Sequence, residues 1–114
     1  MADGNRKLGE IATALLFENE RVRIWEMKLA PGERGVVHRH DLDYVLVQIE
    51  GDRMAVLPEP DTEGPYAEYL EADVVPGQHF YIEKGGIETA KNVGKRPYHE
   101  ILIELKDAPL RQRE

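Results

Sequence analysis

The sequence contains no cysteine, which removes disulfides, thiolate nucleophiles and cysteine-ligated zinc or iron–sulfur centres from consideration. Any metal is left to nitrogen and oxygen donors. No apolar run approaches the roughly 20 residues that cross a bilayer as a helix, and Met1-Ala2-Asp3-Gly4-Asn5 lacks the basic and apolar segments of a secretory signal. A cytoplasmic location without a membrane partner is the expectation. Basic residues are in deficit, 15 against 22 acidic ones for a formal charge of -7, whereas phosphate contacts need a concentrated basic surface. Nucleic acid is not an expected partner. A serine elbow, a phosphate loop and a dinucleotide fingerprint are also missing, since Gly85-Gly86 is followed by neither a lysine–serine pair nor a helix signal.

What is present is a series of short β patterns. Arg21 to Leu29, Tyr44 to Ile49, Arg53 to Leu57, Tyr66 to Glu71, Gln78 to Ile82, Glu88 to Val93 and Tyr98 to Leu105 read as strands, separated by glycine- and proline-containing turns. Ile11 to Phe17 is open between a helical turn and an early strand. Gly51-Asp52 predicts a hairpin between Tyr44–Ile49 and Arg53–Leu57, and Lys84-Gly85-Gly86 a turn within a later strand pair. Short strands about ten residues apart, with no long helix between them, indicate an all-β, antiparallel sandwich or barrel. At 114 residues this is one domain, with an N-terminal arm or strand over 1–20, a barrel over 21–107 and a charged tail over 108–114.

Two of the four histidines are His38 and His40. On an extended backbone alternate residues point to one side, so both imidazoles are placed to reach one metal ion. The same phase carries Leu42, Tyr44, Leu46 and Gln48 inward and turns Asp41 and Asp43 outward, with Asp43 in reserve if a turn resets the phase.

Gly32, His38-Arg39-His40, Tyr44 and Gly51 hold the spacing of the first motif of the cupin family, which this chain resembles over residues 21 to 105. The family's usual glutamate is replaced here by Tyr44. Glu83 to Asn92 resembles the second motif, with Gly85 and Asn92 in place, Glu83 standing for a proline and Glu88 for the third histidine. The resemblance implies a small single-domain cupin, a jelly-roll or double-stranded β-helix, with one divalent transition metal per chain. His38, His40 and Glu88 would be its ligands. Two imidazoles and one carboxylate suit iron, manganese, nickel or zinc and leave open positions for substrate. Tyr44 is a candidate ligand, acid or base, or pocket wall; Glu88 is a second candidate catalytic group.

Around that centre, Gln48 and Asn92 are candidates to orient a ligand or substrate. Arg23 either recognises a substrate carboxylate at the barrel mouth or snorkels to solvent. His79 and His99 are spare histidines, and Trp25, Phe80 and Tyr81 are expected in the core or an interface. The expected function is metal-dependent dioxygenase, lyase or isomerase chemistry on a small organic molecule; the alternative is a non-catalytic small-molecule binding or sensing protein. A homodimer is expected, with Ala12 to Phe17 contributing to the contact.

Overall fold

The strand with the clearest alternation, Tyr98–Leu105, is the central strand of the larger of two sheets. In the computed structural model, which describes residues 8–106, it is β9, the last of nine strands. The others are β1 (Ala14–Glu18), β2 (Val22–Leu29), β3 (His38–Arg39), β4 (Tyr44–Glu50), β5 (Arg53–Pro58), β6 (Leu70–Asp73), β7 (His79–Ile82) and β8 (Ile87–Asn92). The described residues form no helix. Residues 1–7 of the expected arm and the charged tail over 108–114 lie outside the described residues.

The strands form two antiparallel sheets, ordered β1-β2-β9-β4-β7 and β3-β8-β5-β6. The β2–β9 ladder runs unbroken from Val22 opposite Leu105 to Leu29 opposite Tyr98. Of the open segment Ile11 to Phe17, the part from Ala14 onward resolves as strand, where β1 pairs with β2. Between the sheets, Ile11, Trp25, Tyr44, Ile82 and Leu102 pack as one buried group and Met27, Leu29, Val74 and Tyr98 as another.

Three expectations need correction. Tyr44–Ile49 and Arg53–Leu57 are not a hairpin: β4 pairs with β7 and β9, while β5 pairs with β6 and β8. The chain crosses from one sheet to the other at Gly51-Asp52. Gly51 is buried at φ 150°, and a Cβ there would stand 2.7 Å from Tyr98 Cδ1 and 3.2 Å from Val74 Cγ1. A hairpin turn and a sandwich corner call for the same punctuating residues, so the sequence pattern does not separate them. Lys84-Gly85-Gly86 is likewise a corner, since β7 and β8 lie in different sheets. The strand expected at Tyr66–Glu71 lies at Leu70–Asp73, where its partner β5 supplies the ladder.

β9 also inverts a simple hydrophobicity argument. Its buried side carries Tyr98, Glu100, Leu102 and Glu104, and its partly exposed side carries Ile101, Ile103 and Leu105. Two carboxylates therefore face the interior.

Candidate metal centre and cavity

β3 is only two residues long, yet its register sets the site. His38 lies directly opposite Glu88 on β8, which puts the two side chains on one face of the sheet. The ladder is extended by His40 N–H donating to Gly86 O and Gly85 N–H donating to His40 O, both at 2.8 Å. His40 thus keeps the phase of His38. Donor atoms of His38, His40 and Glu88 all lie within 4.8 Å of one another, and all three residues are buried.

The distances fit one ion. His38 Nε2 and His40 Nε2 are 3.1 Å apart, and His40 Nε2 is 3.4 Å from Glu88 Oε2. Two donors bound at about 2.1 Å and 90–109° apart are themselves about 3.0–3.4 Å apart. His38 Nδ1 is 2.9 Å from the Val36 carbonyl, which can only accept, so Nδ1 carries the proton and Nε2 the lone pair. Burial, reinforced by His40, holds the His38 pKa below its ordinary value and keeps the imidazole neutral. His40 Nδ1 is buried with no hydrogen-bond partner. The His40 ring is oriented instead by stacking on Tyr44, with centroids 4.1 Å apart and planes at 18°. Gly86 completes the cradle: a Cβ there would lie 2.8 Å from Glu88 Oε1 and 3.7 Å from His40 Cδ2.

Tyr44 is 2% exposed. Burial first, then the negative charges of Glu88 and Glu100, push its phenol above the ordinary range, so the residue stands as a neutral hydrogen-bonding group rather than a phenolate.

The three donor residues and Tyr44 line a cavity of about 310 Å³ between the sheets, at the small end of the range for ligand pockets. Leu46, Phe80, Ile82 and Leu102 add apolar lining. Gln48 lines it too, accepting from Gln78 Nε2 at 3.0 Å and donating to Tyr98 Oη at 3.3 Å; Tyr98 in turn donates to Glu100 Oε1. Glu100 is 5% exposed, and burial pushes its carboxyl up to about 7 despite the Tyr98 hydroxyl. Sequence reasoning missed Glu100, Tyr98, Gln78 and Gly86. The alternation of β9 places Glu100 in phase with Tyr98 and Leu102, but nothing in it says which side is inner.

Other candidates stand elsewhere. Arg23 is not part of the cavity wall; its Nε donates to Glu104 Oε1 at 2.6 Å, and its guanidinium lies 5.8 Å from the centroid of the Trp25 ring. The carboxylate it meets is the protein's own. Asn92 is fully buried, but its Nδ2 donates to the carbonyls of Leu29 and Arg96, and its Oδ1 accepts from Gly94 N–H. It clamps the β8–β9 connection and does not line the cavity. Asp43 accepts from Tyr81 and from Lys84 N–H. His99 pairs with Glu26 on the outer side, and His79 is exposed.

Two antiparallel sheets enclosing a cavity, with a His-x-His pair and a facing carboxylate on its wall, define a cupin, a double-stranded β-helix protein. Within that class the chain belongs to the auxin binding protein family, whose model matches residues 4–111. Auxin-binding protein T85 of Nicotiana tabacum is 24% identical over 102 residues, covering 89% of this chain and 54% of the tobacco protein. The chain thus spans about half the length of that relative. Beta-alanine degradation protein BauB of Pseudomonas aeruginosa is 34% identical over 87 residues, covering 75% of this chain and 80% of that protein. Among solved structures, a cupin domain from Bordetella pertussis superposes with a TM-score of 0.69 at 24% identity, over 90% of this chain and 99% of the other.

Proposed function

We propose that the chain is a metal-dependent cupin enzyme acting on a small organic molecule, with His38, His40 and Glu88 as the ligands of one divalent transition-metal ion. The observation that carries this reading is the convergence of three buried donors within 4.8 Å on the wall of a cavity. A bound ion with two neutral imidazoles and one carboxylate keeps a net positive charge and open positions, which suits polarisation of a substrate oxygen or activation of dioxygen. The protein's own groups do the rest. Stacking on Tyr44 holds the His40 ring in place, the apolar walls exclude water, and the neutral Tyr44 phenol, lining the same cavity, would serve a substrate oxygen as a hydrogen-bond donor.

A second reading, a protein that binds a small molecule without turning it over, is favoured by the family name and by the tobacco relative's name. Metal analysis of protein purified without an affinity tag, with anomalous diffraction, tests the metal-dependent reading. One ion per chain on His38, His40 and Glu88, lost in His38→Ala, is the expected result; a folded protein that takes up no transition metal overturns it. Substrate screening with Tyr44→Phe then separates the readings. Retained metal with a rate lowered at least about tenfold supports the enzyme, and ligand binding without turnover supports the second reading.

A further inference from the structure

The protein contains two buried inward carboxylates on the same strand, treated in opposite ways. Glu104, 1% exposed, receives the Arg23 guanidinium and the Trp25 indole N–H. Glu100, also buried, receives one hydroxyl, from Tyr98, and no other described residue is recorded donating to it. An ionised carboxylate has about four acceptor positions, and burying its charge without a cation is costly. The difference is that Glu100 faces the cavity and Glu104 does not.

The rest of the cavity supplies no cation. Neither lysine nor arginine is among its lining residues, whose titratable acidic groups are Glu88, Glu100 and Asp73; Asp73 is exposed at the edge of the cavity and paired with Arg53. The polar side chains Gln78, Gln48 and Tyr98 form a one-way chain of donors ending at Glu100. That chain uses one N–H of each glutamine and the Tyr98 hydroxyl hydrogen, and the only charged group at its end is the carboxylate. A second anionic group of a ligand would find no cation at this end and would face the Glu100 carboxylate, whereas a cationic donor would meet an acceptor that has one hydroxyl and no counter-charge.

We propose that Glu100, positioned by Tyr98 and Gln48, is a recognition pole for a protonated amine. The cavity then takes a small molecule with a metal-binding oxygen group at one end, an ammonium group at the other and a short apolar span between. The oxygen-binding end rests on the metal reading; the amine end does not. Charge is balanced at both ends. A divalent ion with Glu88 keeps one positive charge for a ligand carboxylate, and Glu100 neutralises the ammonium. The raised pKa of Glu100 is consistent with a site that lacks this counter-charge when empty. A volume of about 310 Å³ admits about ten non-hydrogen atoms, at about 30 Å³ each as in liquid water.

The test is calorimetric titration with matched probes at about pH 8, above the Glu100 value. Nickel-loaded protein is titrated with δ-aminovalerate and with hexanoate, which carries a methyl in place of the ammonium. Wild type is expected to prefer the amine by at least about tenfold, with the preference abolished in Glu100→Gln and nickel stoichiometry unchanged. Equal affinity, a preference for hexanoate, or a preference that survives Glu100→Gln overturns the proposal. The amine pole is read apart from the metal by titrating protein in chelator with pentylamine and pentanol. An amine preference that Glu100→Gln removes sustains the pole even if nickel fails to bind, and absence of that preference refutes it.

Discussion

Replacing Glu100 by glutamine should stabilise the metal-free protein at neutral and alkaline pH. Glu100 is buried, and its carboxyl titrates at about 7 in the folded protein against an ordinary 4.5. Between these values the folded chain holds a proton that the unfolded chain has released. Wild-type stability therefore falls as pH rises from about 4.5 to about 7 and is level above that with respect to this group. At about 1.4 kcal/mol per pKa unit the loss is on the order of 3 kcal/mol. Glutamine keeps an oxygen acceptor for the Tyr98 hydroxyl and carries no charge. His38, whose folded pKa is lowered, contributes in the opposite sense: its stabilisation is present above about 6.5 and is lost as pH falls. The difference between variant and wild type largely cancels that contribution. Urea denaturation in chelator at several pH values is the assay. Near pH 4 the two proteins should be of similar stability, and at about pH 8 the variant should unfold about 2 M later, for a slope of about 1.5 kcal/mol/M. A pH-independent difference, or a variant less stable at high pH, would refute the account of Glu100 as an uncompensated buried carboxylate.

Gly86→Ala brings a methyl group to 2.8 Å from Glu88 Oε1, so metal affinity should fall by about tenfold or more while the β-sheet circular-dichroism spectrum is retained; unchanged affinity would show that Gly86 does not shape the cradle. Asn92→Ala strands the carbonyls of Leu29 and Arg96 and the Gly94 N–H, and should cost about 2–4 kcal/mol in denaturant unfolding. Its metal stoichiometry should match wild type, because Asn92 does not line the cavity.

The sequence by itself determined most of the strands, leaving β1 open and setting β6 four residues early, because period-two alternation and glycine–proline punctuation are local properties. It also placed His38, His40, Tyr44 and Gln48 on one side, which needs only the geometry of an extended chain. Pairing was beyond it: glycine-containing connections join strands within a sheet between β5 and β6, through Gly64, and across sheets at Gly51 and Gly85. Three outcomes required the assembled sandwich. It set Glu88 opposite His38, committed Arg23 to Glu104 and Asn92 to backbone carbonyls, and turned the carboxylate side of β9 inward rather than its isoleucines. The first depends on long-range register and the second on which partner lies within reach after packing. The third depends on which polar groups the interior can satisfy, and there Glu104 has its cation while Glu100 faces the cavity without one.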